Sequence, residues 1–289
     1  MNPWILAARP RTLGAGIIPV LAGAALAFAA GMFDPVTTAL IVACAVLIQI
    51  ATNYFNDAID HAKGADASGR IGPVRVTSAG LLPAPDVMRA GAACLALAVL
   101  FSIPLVVRGG WPIVAIGALS MLFAYAYTGG PFPLAYLGLG EIFVVLFFGL
   151  VAVAGTFYLN TLELSPAALL AGLQIGLHSS VLLAVNNLRD IESDRAAHKR
   201  TLAARFGLVF ARRENATLIL APFVLGILWL PLGCFWAFML PLITLPHAWW
   251  LTRACLEAQP DRSVNQLLAQ AAALHAVFGL LLAAGFIIP

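Results

Sequence analysis

Residues 36–66 read "VTTALIVACAVLIQIATNYFNDAIDHAKGAD", an apolar run that ends in amides and acids. A hydrocarbon core about 30 Å thick takes roughly 20 apolar residues to cross as a helix. The stretch 36–58 therefore reads as a transmembrane helix that delivers Asn56, Asp57 and Asp60 to one membrane face. Runs of the same kind recur at 12–30, 87–107, 111–128, 138–159, 166–190, 215–231, 233–251 and 264–288, separated by Gly, Pro or clusters of charge. Of the 289 residues, 62% are hydrophobic and only 10% are charged, a balance that excludes an ordinary water-soluble domain. Open sheet edges cannot persist in lipid, and the chain has no alternating apolar and polar strand pattern. The expected fold is all-α: a bundle of about nine transmembrane helices in a single integral-membrane domain, 1–289.

Charge sets the orientation. With nine spans, the N-terminal segment and the connections after spans two, six and eight lie on one side. Of the 16 Lys and Arg, all but Arg108 fall there. The positive-inside rule makes that side cytoplasmic and predicts a multi-pass protein of the cell membrane. The net charge of +3 then reports topology, and no nucleic-acid partner is expected. Arg9 and Arg11 ahead of an apolar run could mark a signal peptide, but that run is long enough to span, so a retained first helix is expected. Cys44, Cys94, Cys234 and Cys255 are scattered, with no C-x-x-C pair, and imply neither a disulfide framework nor a zinc site. His178 and His247 are assigned no chemistry.

A second segment repeats the design of the first. The span 166–190 ends in "NNLRDIESDRAAHKRTLAARFG", with Asn186, Asn187, Asp190 and Asp194. Four spans separate the two acidic ends, so both emerge on the same face, as in a weak parallel internal repeat. Asn56 and Asp60 are four residues apart, with Asp57 beside them, and Asn186, Asp190 and Asp194 follow at the same step, so each set forms a stripe on one helical face. Acids one turn apart repel, and the negative end of a helix dipole makes them worse at a C-terminus. A hard cation that shares its positions with carboxylates, water and substrate phosphates is the natural remedy, which points to Mg²⁺.

The loops that follow are basic: Lys63, Arg70 and Arg75 after the first stripe, and Arg189, Arg195, Lys199, Arg200 and Arg205 within and after the second. Arg grips phosphate with two bonds and Lys as a point charge, so acids, Mg²⁺ and basic loops together read as a diphosphate clamp. Either segment alone could be no more than helix-end polarity beside a topological charge bias. The matched pair argues for a site.

These residues resemble those of the UbiA-type intramembrane aromatic prenyltransferases. "NDAIDHAKGAD" fits their N-D-x-x-D-x-x-x-G-x-D pattern, and "NNLRDIESDRAAHKRTL" their N-N-x-R-D-x-x-x-D…K-x-T-L pattern. "AARPRTL", "RIGPVR" and "YTGGPFPLAYLGLGEIFVVLFFGLVAVAGTFYL" are most similar to the branch that acts on 1,4-dihydroxy-2-naphthoate. The resemblance implies that Asn56, Asp57, Asp60, Asp190 and Asp194 hold Mg²⁺ against a polyprenyl diphosphate. It implies that Lys63, Asp66, Arg70, Arg75, Arg189 and Lys199 surround the head group, with Asp60, Asp66 and Asp190 as catalytic acids. Two positions depart from the pattern: His198 stands where Gly is expected, and Glu141 where Asp is expected.

The implied reaction transfers a polyprenyl group to an aromatic hydroxy acid, with loss of CO₂ and diphosphate, in menaquinone biosynthesis. Breaking an allylic C–O bond leaves a carbocation that needs shelter from water beside aromatic faces, for which Tyr54, Phe55, Tyr125, Tyr127 and Tyr158 are candidates. A 4-hydroxybenzoate acceptor is the alternative, though the chain lacks the R-T-x-x-R-P continuation usual in that branch. A secondary transporter would carry its acids near mid-membrane on broken helices, not at helix ends beside basic loops.

Overall fold

A computed structural model describes residues 2–64, 72 and 74–288, apart from the side chain of Arg11; Asp66 and Arg70 lie outside the described residues. The chain forms helical rods, here numbered in order. They are α1 (Pro10–Ala29), α2 (Pro35–Ala62), α3 (Ala84–Gly109), α4 (Trp111–Ala126), α5 (Gly140–Thr161), α6 (Pro166–Arg189), α7 (Leu202–Gly226), α8 (235–257) and α9 (Val264–Ile287). Six are long and apolar enough to cross a membrane: α1, α2, α3, α5, α6 and α9. The apolar α4 is shorter, and α7 and α8 carry charged or irregular turns.

Local chemistry places the helix starts. Pro10, Pro35 and Pro166 stand at the first helical position, where a missing N–H costs nothing. Asp34, Ser165 and Thr201 cap α2, α6 and α7 by accepting backbone N–H bonds.

The seventh rod departs from the expected 215–231. Arg205, Arg212, Arg213 and Glu214 made its first half read as a loop, yet the helix begins at Leu202. The Arg212 guanidinium donates to the Ala258 carbonyl at 2.9 and 2.7 Å, so this charged half is an extension docked on the end of α8. It also breaks at Gly207, whose φ of +82° is open to glycine and costly for other residues.

At the opposite end from the acids, Arg108 donates to the Leu159 and Asn160 carbonyls and pairs with Asp34 at 3.7 Å. Asn160 in turn accepts from the Asp34 amide at 2.8 Å. Arg108 thus ties three helix ends together.

Helices α5 and α6 meet through glycine. A Cβ added at Gly172 would lie 2.9 Å from Leu150 Cα, and one at Gly176 2.7 Å from the Val145 carbonyl oxygen. Lipid offers no hydrophobic force between helices, so such close backbone approach is what holds them. Within this contact α5 makes a π-helical turn, Leu146–Val151. Gly176→Val is expected to destabilise the protein by about 1–3 kcal/mol, the usual cost of overpacking. Gly117→Val, where a Cβ meets nothing within 4 Å, should leave the thermal midpoint in detergent nearly unchanged.

Candidate active site

The last turns of α2 and α6 bring the two acidic motifs together, and a lysine joins them. Lys199, from the loop after the second motif, donates to Asp60 Oδ1 at 3.2 Å, while Arg75 donates to Oδ2 at 3.2 Å. The Asp60 side chain is only 4% exposed, and both of its oxygens are taken by these cationic partners. Lys63 donates to the Thr128 carbonyl at 2.7 Å, and the Thr128 hydroxyl bonds Asn56 Oδ1.

The second motif supplies the other acids. Arg189 forks onto Asp190 through Nε and Nη2 at 2.7 and 2.6 Å, and its Nη1 reaches Asn265 at the start of α9. Asp194 sits on the short helix Ile191–Ala196 and accepts from the Thr201 hydroxyl at 3.2 Å. Burial pushes its carboxyl up to about 7, with Asp190 and Asp60 adding to the rise and Lys199 and Thr201 opposing it. The protein alone therefore supports this charge poorly, as expected of a group that shares a cation.

A basic arc lies over one aromatic ring. The ammoniums of Lys63 and Lys199 stand 4.5 and 5.2 Å from the centre of Tyr136. Burial pulls the Lys63 ammonium below its ordinary value, with Lys199 adding to the fall and Asp60 opposing it. Tyr136 is raised, first by burial and then by Asp60 and Asp194.

Behind the acids an apolar cavity of about 230 Å³ runs between α1, α2, α3, α4 and α5. Thr52, Tyr127 and Leu134 line its near end, and Leu105, Ile113 and Leu159 its far end. Tyr127 links the two regions. Burial, then Glu141, Asp60 and Asp194, push its phenol above the ordinary range.

Residues 16–278 match the UbiA prenyltransferase family. The chain belongs to that family. It is 37% identical over 235 residues to 1,4-dihydroxy-2-naphthoate octaprenyltransferase of Escherichia coli K12, covering 76% of this chain and 74% of the relative. With the protein of the same name from Mycobacterium tuberculosis it shares 40% over 206 residues, 71% of this chain and 70% of the other. Human UbiA prenyltransferase domain-containing protein 1 is 30% identical over 294 residues, 99% of this chain and 83% of that one. A UbiA homolog from Archaeoglobus fulgidus, solved bound to GPP and Mg²⁺, has the same fold, with a TM-score of 0.65 at 14% identity over 99% of each chain.

Set on this UbiA fold, the expected residues divide. Asn56, Asp60, Lys63, Arg75, Asp190, Asp194 and Lys199 gather at one face of the bundle. Asp57 turns away from the stripe: its two oxygens accept the backbone amides of Val76 and Thr77 at 3.1 and 2.9 Å. The cause is helical pitch, since Asp57 is turned about 100° from its neighbour Asn56. Asp57 is thus placed as the anchor of the loop that presents Arg75. Arg189 forks onto Asp190, so in this state its charge is turned to an acid of the site.

Among the candidate rings Tyr127 lines the cavity, whereas Tyr54 bonds the Trp4 carbonyl and Tyr158 bonds the Gly109 carbonyl at the far end. Tyr136 and Thr128 escaped the sequence reading. Counting spans also puts the connection between α4 and α5 on the acidic side, but it carries no charge to draw attention.

The two departures from the family pattern have physical readings. His198 takes φ +54°, the left-handed conformation that a glycine adopts freely. Glu141 is buried and accepts from Asn187 Nδ2 at 2.7 Å, so the second Asn of "NNLRD" holds α5 rather than joining the stripe.

Oxygen donors alone, Asn56, Asp60, Asp190 and Asp194, suit a hard ion such as Mg²⁺. Among the described residues no three His, Cys, Asp or Glu side chains converge on one point, and Arg75, Lys199 and Arg189 pair with two of the acids, Asp60 and Asp190. The donor chemistry fits the ion.

Removing the loop anchor strands two buried amides, at about 1–3 kcal/mol for each unpaired group. In Asp57→Ala, hydrogen exchange at Val76 and Thr77 should quicken roughly tenfold or more, while exchange across the α5–α6 contact stays as in the parent protein.

Proposed function

We propose that this chain transfers a polyprenyl group from a prenyl diphosphate to 1,4-dihydroxy-2-naphthoate, releasing diphosphate and CO₂, and so serves menaquinone biosynthesis at the cell membrane. The observation that carries the reading is the meeting of two acidic helix ends and their cations, with Tyr127, which lines the apolar cavity, close enough to Asp60 and Asp194 to feel their charge. The naphthoate acceptor is carried over from the two bacterial relatives named above. The side bearing the acids is read as cytoplasmic, from the bias of Lys and Arg toward it.

In this reading Asn56, Asp60, Asp190 and Asp194 hold Mg²⁺. When bound, the ion neutralises the diphosphate and makes it a better leaving group. Lys63, Arg75 and Lys199 bind the phosphate oxygens once they exchange their present partners for substrate. Arg189 orients Asp190. Asp66 and Arg70, which lie outside the described residues, remain assigned to the head group.

Breakage of the allylic C–O bond sends its electron pair to diphosphate and leaves a cation at the end of the chain. The cavity wall excludes water from that cation, and Tyr127 offers it a ring face at the cavity's near end. A new C–C bond forms at the ring carbon bearing the carboxylate. The C–CO₂ bond then breaks with its electron pair returned to the ring, restoring aromaticity without a catalytic acid.

Each buried methylene contributes about 0.8 kcal/mol, so the donor's tail stays in apolar surroundings while its head reaches the acids.

Asp60→Ala and Asp190→Ala should lower kcat at least a thousandfold in purified protein that still elutes as folded, and EDTA should do the same until a divalent ion is restored. Near-normal turnover by either variant would sink the clamp. Lys199→Ala and Arg75→Ala should raise KM for the prenyl donor more than for the acceptor.

Carboxyl-labelled 1,4-dihydroxy-2-naphthoate should yield one labelled CO₂ per diphosphate. Label retained in the product, or faster turnover of 4-hydroxybenzoate, would replace the acceptor and leave the metal-dependent transfer in place.

A further inference from the structure

The loop after the second motif carries more positive charge than the acids take up. Arg189 pairs with Asp190, and Lys199 with Asp60. Arg195, His198, Arg200 and Arg205 lie outside those pairs, and with Lys199 and Ala204 they line a recess of about 320 Å³. At roughly 30 Å³ for a water molecule in the liquid, that is room for about ten water-sized groups, enough for a phosphate diester with a short alcohol.

Among the described residues no carboxylate lines this recess. Arg195 is partly answered, since it donates to the Ala204 carbonyl at 2.9 Å and to Glu192 at 3.1 Å. Arg200 and Arg205 are exposed, and among the described residues neither pairs with an acid. Backbone contacts nonetheless fix where they stand. The Arg200 amide donates to the Tyr136 carbonyl at 3.2 Å. A Cβ added at Gly138 would lie 2.7 Å from the Arg200 carbonyl oxygen and 3.7 Å from Arg205 Nη1. The recess is therefore built where the second basic loop closes on the α4–α5 connection.

Apolar side chains border the cations. Leu137 and Leu139 flank Gly138, and Phe206, Val209 and Phe210 follow Arg205 on α7; all five are exposed. The Arg205 guanidinium stands 5.3 Å from the centre of the Phe206 ring, which lies 5.0 Å from that of Phe210. Water would leave these apolar groups uncovered, and hydrocarbon would strand the guanidiniums. The headgroup layer of a bilayer meets both needs, with acyl chains against the apolar border and phosphates at the cations.

We propose that this recess binds the headgroup of an anionic phospholipid, with Arg200 and Arg205 on its phosphate and its acyl chains along Leu137, Leu139, Phe206, Val209 and Phe210. Arg suits the task because its planar fork holds two phosphate oxygens at once and its charge is permanent. A zwitterionic headgroup brings an ammonium of its own, which a wall of cations repels. A soluble phosphate would satisfy the cations and leave the apolar border exposed.

The test uses the full chain in a nonionic detergent, with bound lipid counted by native mass spectrometry. Phosphatidylglycerol should bind at least tenfold more tightly than phosphatidylcholine. Arg200→Gln combined with Arg205→Gln should weaken phosphatidylglycerol binding at least tenfold. Arg253→Gln combined with Arg262→Gln removes the same charge from the connection after α8, on the same side by the count of spans, and should change binding less than twofold. Equal losses in the two pairs would reduce the effect to diffuse charge and overturn the site, as would equal binding of the two lipids by the unaltered chain.

A second arm needs no substitution. In phosphatidylcholine nanodiscs, a trace of phosphatidylglycerol with a diazirine high on one acyl chain should label peptides containing 137–139 or 206–210. Unlabelled phosphatidylglycerol should compete that label away, and inorganic phosphate and glycerol phosphate should not. Competition by the soluble anions, or label confined to other peptides, would overturn the proposal.

Discussion

A carboxylate buried at a membrane face must be answered by a cation, and most of this structure can be read as the answer. Asp60 is almost closed off from solvent and is held by Arg75 on one side and Lys199 on the other. Arg75 comes from the loop after α2, and Lys199 from the loop after α6. One acid therefore joins two segments 139 residues apart in sequence. Each partner is itself tethered: Arg75 lies on the loop that Asp57 anchors, and Lys199 donates its backbone amide to the Asp194 carbonyl. Removing one partner of such a group leaves an uncompensated charge, which is why its neighbours are so closely bound.

The same constraint gives the site its chemistry. In the proposed reading, the cations that rest on these carboxylates are the ones that would bind the diphosphate, and the carboxylates the ones that would take the divalent ion. Burial pushes the Asp194 carboxyl up to about 7. The apolar cavity adds the second requirement, since a carbocation survives only where water is excluded. Its walls are kept apart by bulky residues on α4 and α5, while glycines bring α5 against α6.

Family likeness and geometry bear on different parts of the reading. The likeness to naphthoate octaprenyltransferases extends over about three quarters of the chain and carries the acceptor. The geometry carries the donor: acids and ammoniums paired at one face of the bundle and an apolar cavity that Tyr127 lines. The departures fit this division. His198 strains a turn, and Glu141 braces α5 against Asn187, so each alters support around the clamp and leaves the acids in place.

Apolar length and the side preference of Lys and Arg were enough, in the sequence alone, to establish an all-helical membrane bundle and to put both acidic motifs on one face. Those properties are one-dimensional, since a helix spans lipid by its own composition. The steps between Asn56 and Asp60, and between Asn186, Asp190 and Asp194, were legible for the same reason. Where each side chain points was not. Asp57 belongs to the motif by spacing, but it bonds Val76 and Thr77 because the loop returns over it. Tyr136 and Thr128 carry no charge and no motif, and they reach the site only because the α4–α5 connection folds across it. The charged start of α7 read as a loop until its docking on α8 supplied Arg212 with a carbonyl. The cavity belongs wholly to tertiary structure, since it depends on how α1 to α5 pack around it.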